Sequence, residues 1–304
     1  MVKLILSLDG GGVRGGATAQ FLTLLEEQLG IPLHDAFDLF VGTSTGSMIA
    51  SALAVKNMTA REALALYNES NIKSIFDESA YDKVVGVAQT DPKYDGKGKK
   101  KFLDTFFGSA TFHDAKKQLI LTTYDIQNRV FHSLSANDPA CASIKIADAC
   151  NASSAAPAYF PAVQVGGLWL IDGGVVVNNP TLVGFAQARK LWPAEEIYVV
   201  SVGTGTRTEP INGPDAASWG GIQWLKNGLI DIAMDETVVE WQAKFILGEC
   251  YVRVNSPLGD AVSDDMDETS TSNMAHLKEL GTTWFADFGP SVLRLISTAK
   301  SSHT

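Results

Sequence analysis

Short apolar runs rich in β-branched residues alternate along this chain with longer segments whose apolar residues recur at helical spacing. Such runs are typical of strands buried on both faces, and helices between them are typical of a parallel sheet. The pattern predicts strands over residues 3–9, 39–41, 118–124, 129–134, 168–172, 197–202 and 250–254. It predicts helices over residues 17–29, 48–55, 59–70, 181–191, 220–246 and 274–286. The predicted fold class is therefore α/β, with a mainly parallel central sheet and helices on both faces.

The 304 residues contain no internal repeat, no low-complexity linker and no break in composition that would mark a domain boundary. We therefore expect a single domain over residues 1–304. Because 45% of the residues are hydrophobic and 19% are charged, the chain is able to bury a full core. This composition excludes the disordered and collagen-like classes.

The overall charge and the cysteines restrict the partners. A formal net charge of −10 repels a polyanion, so no nucleic-acid polymer is expected as a partner. Cys141, Cys150 and Cys250 lack the spacing of a metal site, and we expect them to be reduced, buried thiols. No metal or other cofactor is implied.

The start of the chain and the lengths of its apolar runs bear on its location. The apolar N-terminal run ends at Asp9 and has no small-residue cleavage site, so it does not resemble a signal peptide. No run reaches the ~18 apolar residues of a membrane-spanning helix. We expect a cytoplasmic protein that is soluble or peripherally associated with a membrane.

A glycine-rich loop, Asp-Gly-Gly-Gly-Val-Arg-Gly-Gly at residues 9–16, follows the first predicted strand and opens a helix. Consecutive glycines let the backbone turn several N–H groups toward one point, and the helix behind them adds positive charge. The residues that could bind an anion or substrate here are Gly10, Gly11, Gly12, Val13, Arg14 and Gly15. The spacing fits an oxyanion hole and the Rossmann dinucleotide fingerprint equally well, and a tight turn without a ligand is the third interpretation.

A second motif, Gly-Thr-Ser-Thr-Gly at residues 42–46, lies between a predicted strand and a predicted helix. Glycines two residues before and after Ser44 relieve crowding in a sharp turn that places the hydroxyl group at its tip. The helix that follows adds its positive end beneath the serine. Ser44 is therefore the candidate nucleophile, with Gly42 and Gly46 forming the elbow, and the alternative is that Ser44 only caps the helix.

A third motif, Asp172-Gly173-Gly174, ends the apolar run that begins at Leu168. A carboxylate at the end of a strand, with glycines leaving room beside it, is able to accept a proton from a neighbouring hydroxyl group. Taken alone, Asp-Gly-Gly is more often a simple turn. The two preceding motifs favour the catalytic interpretation.

Together and in this order, the three motifs resemble those of the patatin-like phospholipase family. The resemblance extends to residues 153–161, which include Ser-Ser-Ala-Ala-Pro and Tyr-Phe-Pro, to Asn-Asn-Pro at 178–180 and to Val-Ser-Val-Gly-Thr-Gly at 200–205. The matching motifs span about residues 4–205, and residues 206–304 then complete the domain or tune the substrate. The resemblance implies the three-layer sandwich of that family.

The resemblance also implies hydrolysis of lipid acyl esters by a Ser–Asp dyad without histidine. Ser44 would attack the ester carbonyl, Asp172 would take the serine proton, and N–H groups of the glycine-rich loop would hold the oxyanion. The implied substrates are phospholipids, lysophospholipids or glycolipids. Because an aspartate with a pKa of ~3.9 is a weak base, burial of Asp172 or a strong oxyanion hole must assist.

Three alternatives compete with this interpretation. A histidine-dependent hydrolase would use His276, which follows Ser44 and Asp172 in the chain but lies in a predicted helix without a motif. An NAD(P)-binding oxidoreductase would need an acid about 20 residues after the glycine-rich loop, such as Asp35 or Asp38. A binding module without catalysis is the least favoured, because all three motifs are intact.

Two further segments have competing interpretations. The basic residues between Lys93 and Lys101 lie at the end of the non-periodic stretch 72–101 and are expected to form a solvated loop, with contact to anionic lipid as the alternative. The apolar residues of 219–232, which include Trp219 and Trp224, are expected to pack in the core. The alternative is a helix that covers the site or enters a lipid interface.

Overall fold

A computed structural model describes residues 2–76, 91–207 and 210–301 of the chain. Its centre is a sheet in the order β5-β6-β3-β2-β1-β7-β8, with β4 pairing β3 on the other side. The strands are β1 Val2–Leu8, β2 Leu39–Gly42, β3 Gln118–Asp125, β4 Val130–Ser135, β5 Val163–Val165, β6 Leu168–Asp172, β7 Glu196–Val202 and β8 Tyr251–Val254. The strands from β3 to β8 along this order are parallel, and β4, β5 and β6 pair antiparallel.

Helices cover both faces of the sheet. The α-helices are α1 Gly15–Leu29, α2 Leu33–Ala36, α3 Thr45–Ala54, α4 Ala60–Leu64, α5 Glu69–Ile75, α6 Lys97–Phe107, α7 Ile146–Ser153, α8 Thr181–Leu191, α9 Gly213–Ala216, α10 Gly221–Lys226, α11 Leu229–Ala233, α12 Thr237–Leu247 and α13 Thr271–Ser301. In β1, Leu4 and Leu6 belong to the core shared with α1, α3 and α13, whereas Ile5 belongs to the core shared with α8 and α12. The predicted α/β class, with a mainly parallel sheet between two helical layers, is confirmed.

The C-terminal part of the chain packs on the same core. Strand β8 extends the sheet beyond β7, and α13 lies along α1. The two helices approach closely because Gly281 has no side chain, and a Cβ atom there would meet the carbonyl oxygen of Ala17. Strand β8 and helix α13 therefore pack on the elements that carry the three motifs.

The predicted helices differ from the observed ones in three places. Residues 220–246 form α10, α11 and α12 instead of one helix, because Gly228 adopts a φ of 106° between the first two. Residues 59–70 divide in the same way, since Asn68 is extended and caps α5. Helix α13 runs to Ser301, well past the predicted end at 286, and includes Pro290.

The prediction of a loop over residues 72–101 is wrong at both ends of this segment. Residues 72–75 belong to α5, and residues 97–101 form the first turns of α6. The remainder includes residues 77–90, which lie outside the described part of the chain. The helical pattern of α6 is hidden in the sequence because lysines occupy four of its first five positions.

Candidate active site

The sheet brings the second and third motifs together through β3. Gly42 at the end of β2 pairs with Leu121, and Asp172 at the end of β6 pairs with Thr123. Because β2 is parallel to β3 and β6 is antiparallel, their last residues meet head to head on the same side of β3. Thr122 lies at the junction, where its hydroxyl group is 2.7 Å from that of Thr43. The two candidate catalytic residues follow directly from this meeting point.

Ser44 lies at the tip of the sharp turn that the sequence predicts. Its backbone has a φ of 53°, which a non-glycine residue rarely adopts. The turn needs glycine on both sides, because a Cβ atom on Gly42 would meet the backbone of Gly46, and one on Gly46 would meet the carbonyl oxygen of Leu8. The Ser44 N–H donates to Ser153 Oγ at 3.0 Å, and α3 begins at the next residue.

Asp172 is buried, and its two oxygens have different surroundings. Oδ1 accepts the N–H of Gly174 at 2.7 Å, while Oδ2 has no hydrogen bond of ordinary geometry among the described residues. Burial raises the pKa of Asp172 to about 6, although the Gly174 N–H, the Ser44 hydroxyl group and the Lys99 charge act in the opposite direction. A long or poorly aligned contact between nucleophile and base is common in enzymes without substrate. The carboxyl group is therefore a stronger base than an exposed aspartate and lies beside the serine.

Only part of the glycine-rich loop has free N–H groups. Gly10 donates to Asn178 O at 3.2 Å, Val13 donates to Met266 O at 2.8 Å and Arg14 donates to Gly11 O at 3.2 Å. Gly11 and Gly12 donate their N–H groups to no acceptor among the described residues. The loop passes close to the nucleophile, since a Cβ atom on Gly10 would lie 3.2 Å from Ser44 Cβ.

A buried ion pair anchors the start of this loop. Arg253 on β8 donates to Asp9 Oδ2 at 2.5 Å and to Ser201 Oγ at 2.8 Å. Burial raises the pKa of Asp9 to about 7, and Arg253 acts in the opposite direction. Glu236 and Glu240 lie 3.8 and 3.7 Å from the same guanidinium group. Arg253 therefore compensates several buried or half-buried carboxylates directly behind the loop.

The candidate residues open into one narrow cavity. Gly12, Ser44 and Asp172 lie in its wall, and most of the other residues that line it are apolar. These apolar residues are Met48, Leu66, Ile72, Ile75, Phe76, Ala156, Tyr159, Phe160, Met234 and Met266. An apolar lining of this kind is complementary to hydrocarbon and helps to exclude water from the reacting atoms.

Sequence analysis missed Lys99, which also lines this cavity. The basic run was expected to be solvated, but Lys99 is only 1% exposed and donates to Asn151 O and Ser154 O. Its neighbours Lys97 and Lys101 are exposed and fit the expectation. The only hint in the sequence is the helical spacing of Lys99 with Leu103 and Phe107, which are both buried.

The structure does not bring the competing candidates to the cavity. His276 lies on α13 and is not among the residues lining it. Asp38 accepts the N–H of Leu4 at the start of β1, at the opposite edge of the sheet from the glycine-rich loop, and Asp35 is exposed on α2. The dinucleotide-binding alternative therefore has no support.

Arg14 of the glycine-rich loop is buried, and its Nε donates to Gly11 O.

The expected core packing of the apolar residues in 219–232 is wrong for those whose side chains the structure describes, and Leu225 lies outside them. Ile222, Leu229 and Ile232 are 70%, 42% and 51% exposed, and Trp219 and Trp224 are half-buried against each other. Short helices with intervening turns cannot align these residues on one face, so the apolar spacing does not produce a buried stripe.

Of the three cysteines, Cys141 and Cys150 are buried, Cys250 is half-buried, and all are free.

Comparison with known proteins finds relatives that match most of this chain. The family model described as Patatin-like phospholipase matches residues 6–184. "Patatin-like protein 1" of Arabidopsis thaliana is 28% identical over 91% of this chain and 80% of its own length. "cGAMP-activated phospholipase" of Pseudomonas aeruginosa is 30% identical over 91% of this chain and 86% of its own length. The solved structure "Crystal structure of VipD from Legionella pneumophila" aligns with 92% of this chain and 67% of that chain, at a TM-score of 0.48 and 14% identity.

Proposed function

The chain belongs to the patatin-like phospholipase family, and on that premise we propose that it cleaves the carboxylic esters of membrane lipids with Ser44 as nucleophile and Asp172 as general base. The observation that carries the proposal is the meeting of β2 and β6 on β3, which places both side chains in one apolar cavity. Phospholipids, lysophospholipids and glycolipids are the substrate classes, because each offers a carboxylic ester on a hydrocarbon chain that is complementary to the apolar lining.

In the acylation step, Ser44 Oγ bonds to the ester carbonyl carbon while Asp172 takes the hydroxyl proton. The negative charge moves to the carbonyl oxygen, where the N–H groups of Gly11 and Gly12 are the available donors. The proposed oxyanion hole therefore contains fewer donors than the whole loop of residues 10–15. Gly10, Val13 and Arg14 already donate their N–H groups to backbone carbonyl oxygens. The tetrahedral intermediate then collapses, and the leaving alcohol or lysophospholipid takes the proton from Asp172.

In the deacylation step, water attacks the acyl group on Ser44 while Asp172 takes a proton from the water. The second tetrahedral intermediate releases the fatty acid, and the proton returns to Ser44. An alcohol that enters in place of water would accept the acyl group by the same steps. The raised pKa of Asp172 supports both proton transfers.

Covalent labelling and product analysis test this proposal. A fluorophosphonate probe should modify Ser44, and peptide mass spectrometry locates the modified residue. Ser47 on α3 should remain unlabelled, because its hydroxyl group donates a hydrogen bond to Ser44 O. Incubation with phosphatidylcholine of two different acyl chains should release free fatty acid and lysophospholipid. Assays are run with and without a cyclic dinucleotide, because the Pseudomonas aeruginosa relative is named as cGAMP-activated. Labelling at another residue, or no labelling in either condition, would contradict the proposal.

An exposed apolar surface on α12 is suited to contact with a lipid surface. Val238, Trp241, Phe245 and Ile246 form this α12 apolar surface and are 57–76% exposed. The rings of Trp241 and Phe245, one turn apart, are in contact and tilted by 56°, with centroids separated by 5.0 Å. Met234, which lies three residues before the start of α12, lines the cavity. No helix among residues 2–76, 91–207 and 210–301 is long and apolar enough to cross a membrane.

The double variant Trp241→Ser/Phe245→Ser tests this contact. We expect vesicle binding to weaken at least ~10-fold, because burial of each aromatic side chain stabilises the bound state by roughly 1.5–3 kcal/mol. Hydrolysis of a soluble p-nitrophenyl ester and the Tm should not change. Gln242→Ser, at an exposed position of the same helix, is the matched control. Unchanged co-sedimentation of the double variant with vesicles would argue against this surface.

A further inference from the structure

Lys99 is a buried cation whose position the proposed reaction does not explain. Its Nζ lies 2.8 Å from Ser154 O, 3.1 Å from Ser154 Oγ and 3.3 Å from Asn151 O. The same atom lies 3.9 Å from the centre of the Phe160 ring. Three oxygen acceptors and an aromatic face all favour the charged ammonium group. A lysine is costly to bury, so this complete set of partners indicates a specific role.

The acceptors of Lys99 belong to the segment that also holds the two proposed catalytic residues. Asn151 lies in the last turn of α7 and Ser154 follows it, so the ammonium group sits at the negative end of a helix dipole. Between them, Ser153 Oγ accepts the Ser44 N–H at 3.0 Å. Two residues after Ser153, Ala155 O accepts the Asp172 N–H at 3.0 Å. Residues 151–155 thus connect Lys99 with both Ser44 and Asp172.

Lys99 also acts on Asp172 through its charge. Burial lowers the pKa of Lys99 to about 7, while the charges of Asp172 and Cys150 raise it. In return, the Lys99 charge lowers the pKa of Asp172. Of these two neighbours, Cys150 contributes little charge at neutral pH, because burial raises the pKa of its thiol to about 12. The acidic residues Asp104 and Asp148 are paired with Lys100 on the outer side of α6.

We propose that Lys99 is a positioning residue of this active site, which ties residues 151–155 to α6 and keeps the Asp172 carboxyl group in its charged form. The inference rests on the proposed Ser44–Asp172 dyad and adds the residue that regulates its base. Lys99 acts through Asn151, Ser154 and the field at Asp172. Its hydrogen bonds within the described part of the chain reach no atom of Ser44.

The pH profile of kcat/KM on a p-nitrophenyl ester tests this role. Asp172 must be ionised to accept a proton, so activity falls on the acid side as pH drops through its pKa. In Lys99→Met, which has a side chain of similar length but no charge, the pKa of Asp172 rises. We expect the acid limb to move up by about one pH unit, because an opposite charge nearby shifts a carboxyl pKa by roughly 1–3 units. At pH values below the limb, this corresponds to an activity loss of about tenfold.

Lys101→Met is the matched control, since Lys101 is exposed on the same helix, and its profile should equal that of the wild type. A folded Lys99→Met variant with an unshifted acid limb, or with the same loss at every pH, would overturn the proposal and indicate a structural role only. If Lys99→Met does not fold, Ser154→Ala decides the question. This variant removes the acceptor at 3.1 Å and should move the limb in the same direction by a smaller amount, and no movement would overturn the proposal.

Asp172→Asn is measured in the same series to separate this inference from the proposed function. If Asp172→Asn keeps wild-type activity, the proposed base is wrong whatever Lys99 does. If Asp172→Asn is inactive and the acid limb of Lys99→Met is unshifted, the dyad stands and only the role of Lys99 fails.

Discussion

Replacement of Ser44 by alanine is expected to lower kcat on a soluble ester by roughly 10⁴–10⁶-fold, because no acyl-enzyme forms without the hydroxyl group. Asp172→Asn should lose about 10⁴-fold, since the amide still accepts the Gly174 N–H but cannot take a proton. The residual activity reflects substrate binding and the oxyanion donors. Both losses are measured at pH values above the acid limb of the wild type, and EDTA should not change them.

Asp125→Asn is a close control for the aspartate variant. Asp125 is buried and, like Asp172, uses Oδ1 to accept the N–H two residues later, at 2.9 Å from Gln127. It does not line the cavity. Circular dichroism and Tm should show that the Ser44 and Asp172 variants are folded. Full turnover by a folded Ser44→Ala variant would remove the elbow from the mechanism of this lipid acyl hydrolase.

The second large effect is expected on stability. Arg253→Met should lower the free energy of unfolding by roughly 3–5 kcal/mol, because loss of one partner leaves a buried charge without compensation. Here the uncompensated groups are Asp9, which is 1% exposed, and the nearby Glu236. Urea unfolding followed by circular dichroism measures the change. Arg61→Met, whose ion pair with Glu27 is exposed, is the control and should change stability by less than ~1 kcal/mol.

The decrease in the free energy of unfolding of Arg253→Met should also depend on pH. The direction of this dependence follows from the protonation of Asp9. Burial raises the pKa of Asp9 to about 7 even with Arg253 present, and removal of the guanidinium group raises it further. An acid whose pKa is raised by folding binds more protons in the folded state, so stability falls as pH rises above its unfolded pKa. The variant should therefore be closer to wild type at pH 5 than at pH 8. An equal loss at both pH values would show that Asp9 is not the uncompensated group.

Local rules were sufficient for much of the fold. The observed bounds lie within a residue or two of the predicted ones for strands β3, β4, β6 and β7 and for helix α8. Apolar periodicity and end signals determine such elements over a few residues. The elbow at Ser44 was also predictable, since only Gly42 and Gly46 permit such a turn. The division of residues 220–246 into three helices was not predictable, because the apolar spacing continues through Gly228.

The sequence alone therefore determined the α/β class, the family motifs and the candidate pair Ser44 and Asp172, since each depends on residue type and short spacing. Only the tertiary structure decided how these groups meet. The head-to-head junction of β2 and β6 depends on the pairing of both strands with β3, which brings together Gly42 and Asp172, 130 residues apart in the chain. The burial of Lys99 depends on α6 packing against α7. Lys97, Lys99 and Lys101 are the same residue type within one run, and only distant partners make one of them part of the site. Long-range packing, which no local spacing encodes, also sets the burial that raises the pKa of Asp172.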